Sequence, residues 1–77
     1  MRQLRFTRYA LEALAMRPEI KLEYVEHVVA DPYRRESQND GRHRFWAYID
    51  EERRWLRVVT LADGTIHNAF FDRRFKP

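Results

Sequence analysis

The chain contains no cysteine, which excludes a disulfide framework and a thiolate metal site and leaves aliphatic and aromatic side chains to hold the fold. That fits a reducing compartment. Glycine occurs only twice, and no Gly-rich phosphate loop, nucleophile elbow or helix-turn-helix signature is visible. Repeats, low-complexity tracts and linkers are also missing, so residues 1–77 are expected to form one domain whose elements all pack on one another. No segment approaches transmembrane length, and Met1-Arg2-Gln3-Leu4-Arg5 lacks the apolar run of a signal peptide. The expectation is a cytoplasmic protein without membrane contact. Its three histidines, His27, His43 and His67, fall on separate elements with no ligand spacing, so neither a metal nor another cofactor is expected.

What the chain does have is arginine. Thirteen of its fifteen basic residues are Arg, and its formal net charge is +3. The excess is uneven: residues 1–40 carry seven basic and seven acidic side chains, whereas residues 41–77 carry eight and five. A planar guanidinium binds phosphate and stacks on bases better than an ammonium does, so this bias is compatible with a nucleic-acid partner, and equally with ordinary solvated arginine.

The spacing predicts an α+β fold: two N-terminal helices on one face of a three- to four-stranded antiparallel sheet. Thr7 is placed to cap a first helix with Ala10, Leu11, Leu14 and Ala15 on one side, ended by Pro18. Leu22, Val25, Val28 and Val29 give a second helix its apolar rhythm over residues 21–30, and Asp31-Pro32 stops it. Strands follow at 33–38, 42–49, 55–61 and 65–71, with Asn39-Asp40-Gly41 and Asp63-Gly64 as turns. A short strand over residues 3–6 is a candidate for an edge. Ser37 falls in the polar first strand without an evident base, so no hydrolase triad is expected.

Alternation divides the last three strands into two faces. Phe45, Ala47, Ile49, Leu56, Val58, Ile66 and Phe70 form an apolar set that should meet the helices. The other set holds Arg44, Trp46, Tyr48, Trp55, Arg57, Val59, Thr65, His67, Ala69 and Phe71. Arginine and histidine among aromatic rings suit a single-stranded RNA surface, where bases stack and cations hold phosphates. The same residues suit a minor core covered by a terminus or a partner subunit. A one-residue slip exchanges the two sets.

Phe6-Thr7-Arg8-Tyr9-Ala10, Ile20, Val29-Ala30-Asp31-Pro32, Trp55-Leu56-Arg57-Val58-Val59 and Ala69-Phe70-Phe71-Asp72-Arg73-Arg74-Phe75 occur in an order that resembles the bacterial family called domain of unknown function 4258, related to RelE-, ParE- and BrnT-like toxins. Tyr9, Asn68 and Lys21 depart from the family's usual histidine, threonine, and serine or threonine. The resemblance implies a RelE-like fold and, by analogy with active relatives, metal-independent cleavage of messenger RNA on the face away from the helices. Arg57 and His67 would then be catalytic, with Tyr48 orienting the 2′-hydroxyl. Arg44, Trp46, Trp55, Arg73 and Arg74 would bind RNA, a ribosome or an antitoxin. The competing reading is a non-catalytic, mobile-element protein that binds another protein through the same face, since Trp, Tyr and Arg also make protein hot spots.

Overall fold

A Thr7 hydroxyl that accepts the Ala10 N–H at 3.0 Å satisfies one of the free donors at the start of α1 (Arg8–Ala15). The computed structural model describes residues 3–77; Met1 and Arg2, which head the segment read above for a signal peptide, lie outside the described residues. Helix α2 (Leu22–Ala30) starts at Lys21 with no side-chain cap, and Glu23 places a negative charge in its first turn. Among the described residues no helix is long and apolar enough to cross a membrane.

Four strands follow the helices: β1 (Arg34–Ser37), β2 (His43–Ile49), β3 (Arg54–Thr60) and β4 (Ile66–Phe71). They pair antiparallel in the order β1-β2-β3-β4. Gly41 and Gly64 adopt positive φ in the first and last hairpins, where Asp40 Oδ1 accepts the Arg42 N–H and Asp63 Oδ1 accepts the Thr65 N–H. These are the conformations and side-chain bonds that tight turns require. The middle turn uses Arg53 at φ 55 instead.

Helix α2 packs across β2 and β3, and α1 packs on β4. Ala10, Tyr24, Val25 and Val28 meet Ala47, Ile49, Leu56, Val58, Ile66 and Ala69 in one core, with Leu14 and Val29 half-buried against it. Leu11, Ala15 and Leu22, expected on the apolar sides of the helices, are exposed. A helix as short as α1 lying on the edge strand covers only a narrow stripe around Ala10.

The edge of β4 is closed by two devices. Thr7 donates its N–H to Ile66 O at 2.9 Å and Ile66 donates to Arg5 O at 2.8 Å, so the proposed strand over residues 3–6 reduces to one parallel bridge between Phe6 and Ile66. Further along, Arg17 donates to Asn68 Oδ1 at 3.0 Å and to Ala69 O at 2.8 Å. Both leave less of the strand open to unwanted pairing. At the opposite edge, exposed β1 carries Arg34, Arg35 and Glu36, charges that discourage the same event.

One irregularity overturns part of the face assignment. Val59 pairs with Asn68 and Thr60 pairs with Ile66, which leaves His67 as an extra residue in β4. Ile66 stays on the helix side, but every residue beyond the bulge changes parity. Ala69 therefore stands opposite Val58 and Phe71 opposite Leu56, whereas Phe70 stands opposite Arg57. Phe70 is not a core residue under the helices; Ala69 and Phe71 are.

Leu56 is fully buried, whereas Leu11 is 56% exposed. Leu56→Ala should cost about 2–5 kcal/mol through lost burial and a cavity, against less than about 0.5 kcal/mol for Leu11→Ala. Chemical denaturation of the two variants measures the contrast.

Candidate nucleic-acid interface

On the face away from the helices, β-sheet register lines up Arg34, Trp46, Arg57 and Phe70 across all four strands. Glu36 and Arg44 flank that row on one side, and Tyr48 and Trp55 on the other. After β4 the chain turns back over this row. Asp72 donates its N–H to Trp55 O at 2.9 Å, and its Oδ1 accepts the Arg74 N–H at 3.0 Å. That turn delivers Phe75 onto the sheet.

The rings there cover one another. Phe75 stacks on Trp46 at 5.0 Å between centroids, 18° between planes, and lies 4.9 Å from Trp55. Tyr33 and Tyr48 meet Trp55 edge-on at 5.0 and 5.4 Å. Trp46 is left only 4% exposed. Its indole N–H donates to Asp72 Oδ2 at 3.0 Å, and Arg57 lies 3.6 Å from the same oxygen. The Arg57 guanidinium also sits 5.5 Å from the Trp46 ring centre and 5.2 Å from that of Phe70, close enough for a cation–π attraction.

Two clefts share Asp72 and Phe75 as walls. One, of about 300 Å³, carries Arg34, Arg44, Arg57, Arg74 and Lys76 together with Glu36. The other, of about 200 Å³, carries Arg53, Arg54, Arg73 and Trp55. Arg44 and Arg57 each keep a buried Nε–H without a hydrogen-bond partner among the described residues. Arg44 reaches Glu36 only at 4.0 Å, and Arg54 is bonded to Glu52 at 2.9 Å.

Of the eight residues singled out in the sequence, Arg44, Trp46, Arg57 and Arg74 line the first cleft, and Trp55 and Arg73 the second. Tyr48 is beside Trp55. His67 is not with them. Its Nδ1 lies 3.2 Å from Thr7 Oγ1, and its ring stacks on Tyr9 at 5.1 Å. The same hydroxyl accepts the Ala10 N–H, so His67 braces β4 against the start of α1. Arg57 pairs with Phe70, three residues further along β4, roughly 10 Å at strand spacing. The bulge and the Thr7 contact place His67 beside the start of α1, away from the row that carries Arg57.

The structure also supplies a partner that the sequence reading missed. Ser37 pairs with His43 across the first hairpin, Oγ to Nδ1 at 3.1 Å. Counting three residues out from Asp40 on either side would have found it. The pair is exposed and no second group orients the imidazole among the described residues, so it is a cross-strand hydrogen bond without the third member that nucleophilic catalysis uses.

Burial pushes the Asp72 carboxyl up, but the Trp46 N–H, the Arg74 N–H and the Arg57 charge together outweigh it, and its pKa falls below the ordinary 3.8. A depressed carboxylate contributes stability above the unfolded-state pKa and loses it as pH falls through the folded value. Asp72→Asn should therefore be less stable than wild type at neutral pH, with the gap narrowing below pH 3.8. Thermal unfolding of both proteins across that range measures it.

Comparison of the chain with family models, curated proteins and solved structures gives no match.

Proposed function

We propose that the protein binds RNA, holding the phosphate backbone along the clefts on either side of Phe75. The observation that carries this reading is the concentration of charge: five basic side chains and only two carboxylates, Glu36 and Asp72, line a single cleft. Their balance equals the formal excess of the whole chain. A low-dielectric cleft lined by one sign of charge focuses its field and raises the local concentration of a polyanion. Four of the five cations are arginines, whose forked donors match phosphate oxygens. Among polyanions, RNA is suggested by the sequence resemblance to domain of unknown function 4258, which is related to RelE-like toxins.

The reading is one of binding. Cleavage by Arg57 with His67 as proton carrier needs both beside one phosphate, and Thr7 and Tyr9 hold His67 elsewhere. A protein partner is the second reading, favoured by Tyr33 and Tyr48, which remain exposed beside Trp55.

A single-stranded RNA of about ten nucleotides should bind with an affinity that falls linearly on a log–log plot against salt. Arg44→Ala and Arg74→Ala should each reduce that slope by about 0.7, the value of one lost phosphate contact on a single strand. His67→Ala should leave the slope unchanged. Absence of salt-dependent binding would reject the RNA reading and direct attention to Tyr33, Tyr48 and Trp55 as a protein-binding patch.

A further inference from the structure

Within the proposed RNA face, four groups close on the Phe75 ring, with Tyr33 edge-on to it at 6.3 Å between centroids. The Trp46 indole stacks nearly parallel to it, Trp55 approaches at a tilt of 55°, and the Arg34 guanidinium carbon lies 4.9 Å from its centre. Three residues earlier in the chain, Asp72 presents an anionic oxygen to the Trp46 N–H and to Arg57. A flat ring against an indole and a guanidinium, with an anionic oxygen on an arginine beside it, is how proteins hold an unpaired nucleotide.

We propose that the cage formed by Trp46, Trp55 and Arg34, together with the Arg57 seat, is a slot for one unpaired nucleotide of single-stranded RNA. In the free protein the chain's own Phe75 fills the base position and Asp72 the phosphate position. This assignment rests on the RNA-binding reading of the face and adds to it a substrate class and an internal competitor.

Three features separate an internal occupant from a permanent part of the core. Among the described residues, no backbone hydrogen bond ties residues 73–77 to the sheet, so beyond Asp72 this segment is held there by side-chain contacts. Phe75 remains partly exposed. The seat is also incompletely filled: among the described residues the Nε–H groups of Arg44 and Arg57 have no partner, and a phosphodiester offers further acceptor oxygens where the Asp72 carboxylate has already committed Oδ1 to Arg74 and Oδ2 to Trp46. A nucleotide entering the slot would exchange ring for ring and anion for anion. Duplex RNA would be excluded from it, because its bases are already paired and stacked, and would contact only the basic rims.

The test compares wild type with Phe75→Ala on two probes of about ten nucleotides, a single-stranded RNA and an abasic strand of the same length. Emptying the base position should tighten binding of the base-carrying strand by about tenfold, the factor that 1.4 kcal/mol of stacking represents, and leave the abasic strand unchanged. No gain, or an equal gain on both strands, would overturn the slot while leaving backbone binding intact; loss of salt-dependent binding of both strands to wild type would instead reject the RNA reading. A second measurement needs no variant. In wild type saturated with the single-stranded RNA, nuclear Overhauser contacts between the Phe75 ring and the Trp46 indole should disappear, and their persistence at saturation would overturn the proposal.

Discussion

The carboxylate of Asp72, held between the Trp46 indole N–H and the Arg57 guanidinium, is the contact on which the second face of the sheet depends. Trp46 is almost wholly covered, and a buried indole N–H without an acceptor costs more than the hydrogen bond gains when made. Arg57 lies among Trp46 and Phe70, where a charge without a counter-charge would be similarly unfavourable. One side chain answers both needs, and its own backbone N–H continues the pairing with Trp55 by one residue. Phe75 then lands on the rings. A short chain buries a smaller fraction of its surface than a long one, so a second apolar layer outside the helix-covered core matters to it.

Much of the architecture was legible because each element combines a rhythm with a stop. Val25, Val28 and the Asp31-Pro32 break define α2, and Asp63-Gly64 defines the last hairpin, without help from long-range contacts. The bulge at His67 was not legible. A strand with an extra residue keeps an alternating sequence on paper while reversing its faces in space, and Ile66-His67-Asn68-Ala69-Phe70-Phe71 contains apolar residues at both parities. Periodicity therefore placed Phe70 under the helices and Ala69 outside. Leu11 and Leu22 failed for another reason: their spacing fits an apolar stripe, but how far a helix lies over a sheet edge is set by tertiary packing.

The candidate site divides in the same way. Arg44, Trp46, Tyr48, Trp55 and Arg57 lie on regular stretches of β2 and β3, so alternation brought them to one face correctly. His67 was assigned to that face by the parity that the bulge breaks, and it braces α1 instead. Asp72 and Phe75 belong to a segment that carries the resemblance but received no site role from the sequence, because the segment after β4 has no period and its fold is defined only by where it lands. Trp46 is covered by Phe75 from the segment that follows β4. The face is thus both a minor core and a charged surface: rings inward, guanidinium groups at the rim.

In the RNA-binding proposal, that combination would serve to hold a polyanion. The cations are clustered, yet the histidine that would move a proton is committed to Thr7. Whether the face works as described depends on the closure at Asp72, and amide and indole hydrogen exchange reads that closure directly. The Trp46 Nε1–H should exchange markedly more slowly than the Trp55 Nε1–H, since Trp46 is both bonded to Asp72 and roofed by Phe75. Equal, rapid exchange of the two indoles would contradict it, because the C-terminal segment would then not be closed over the sheet.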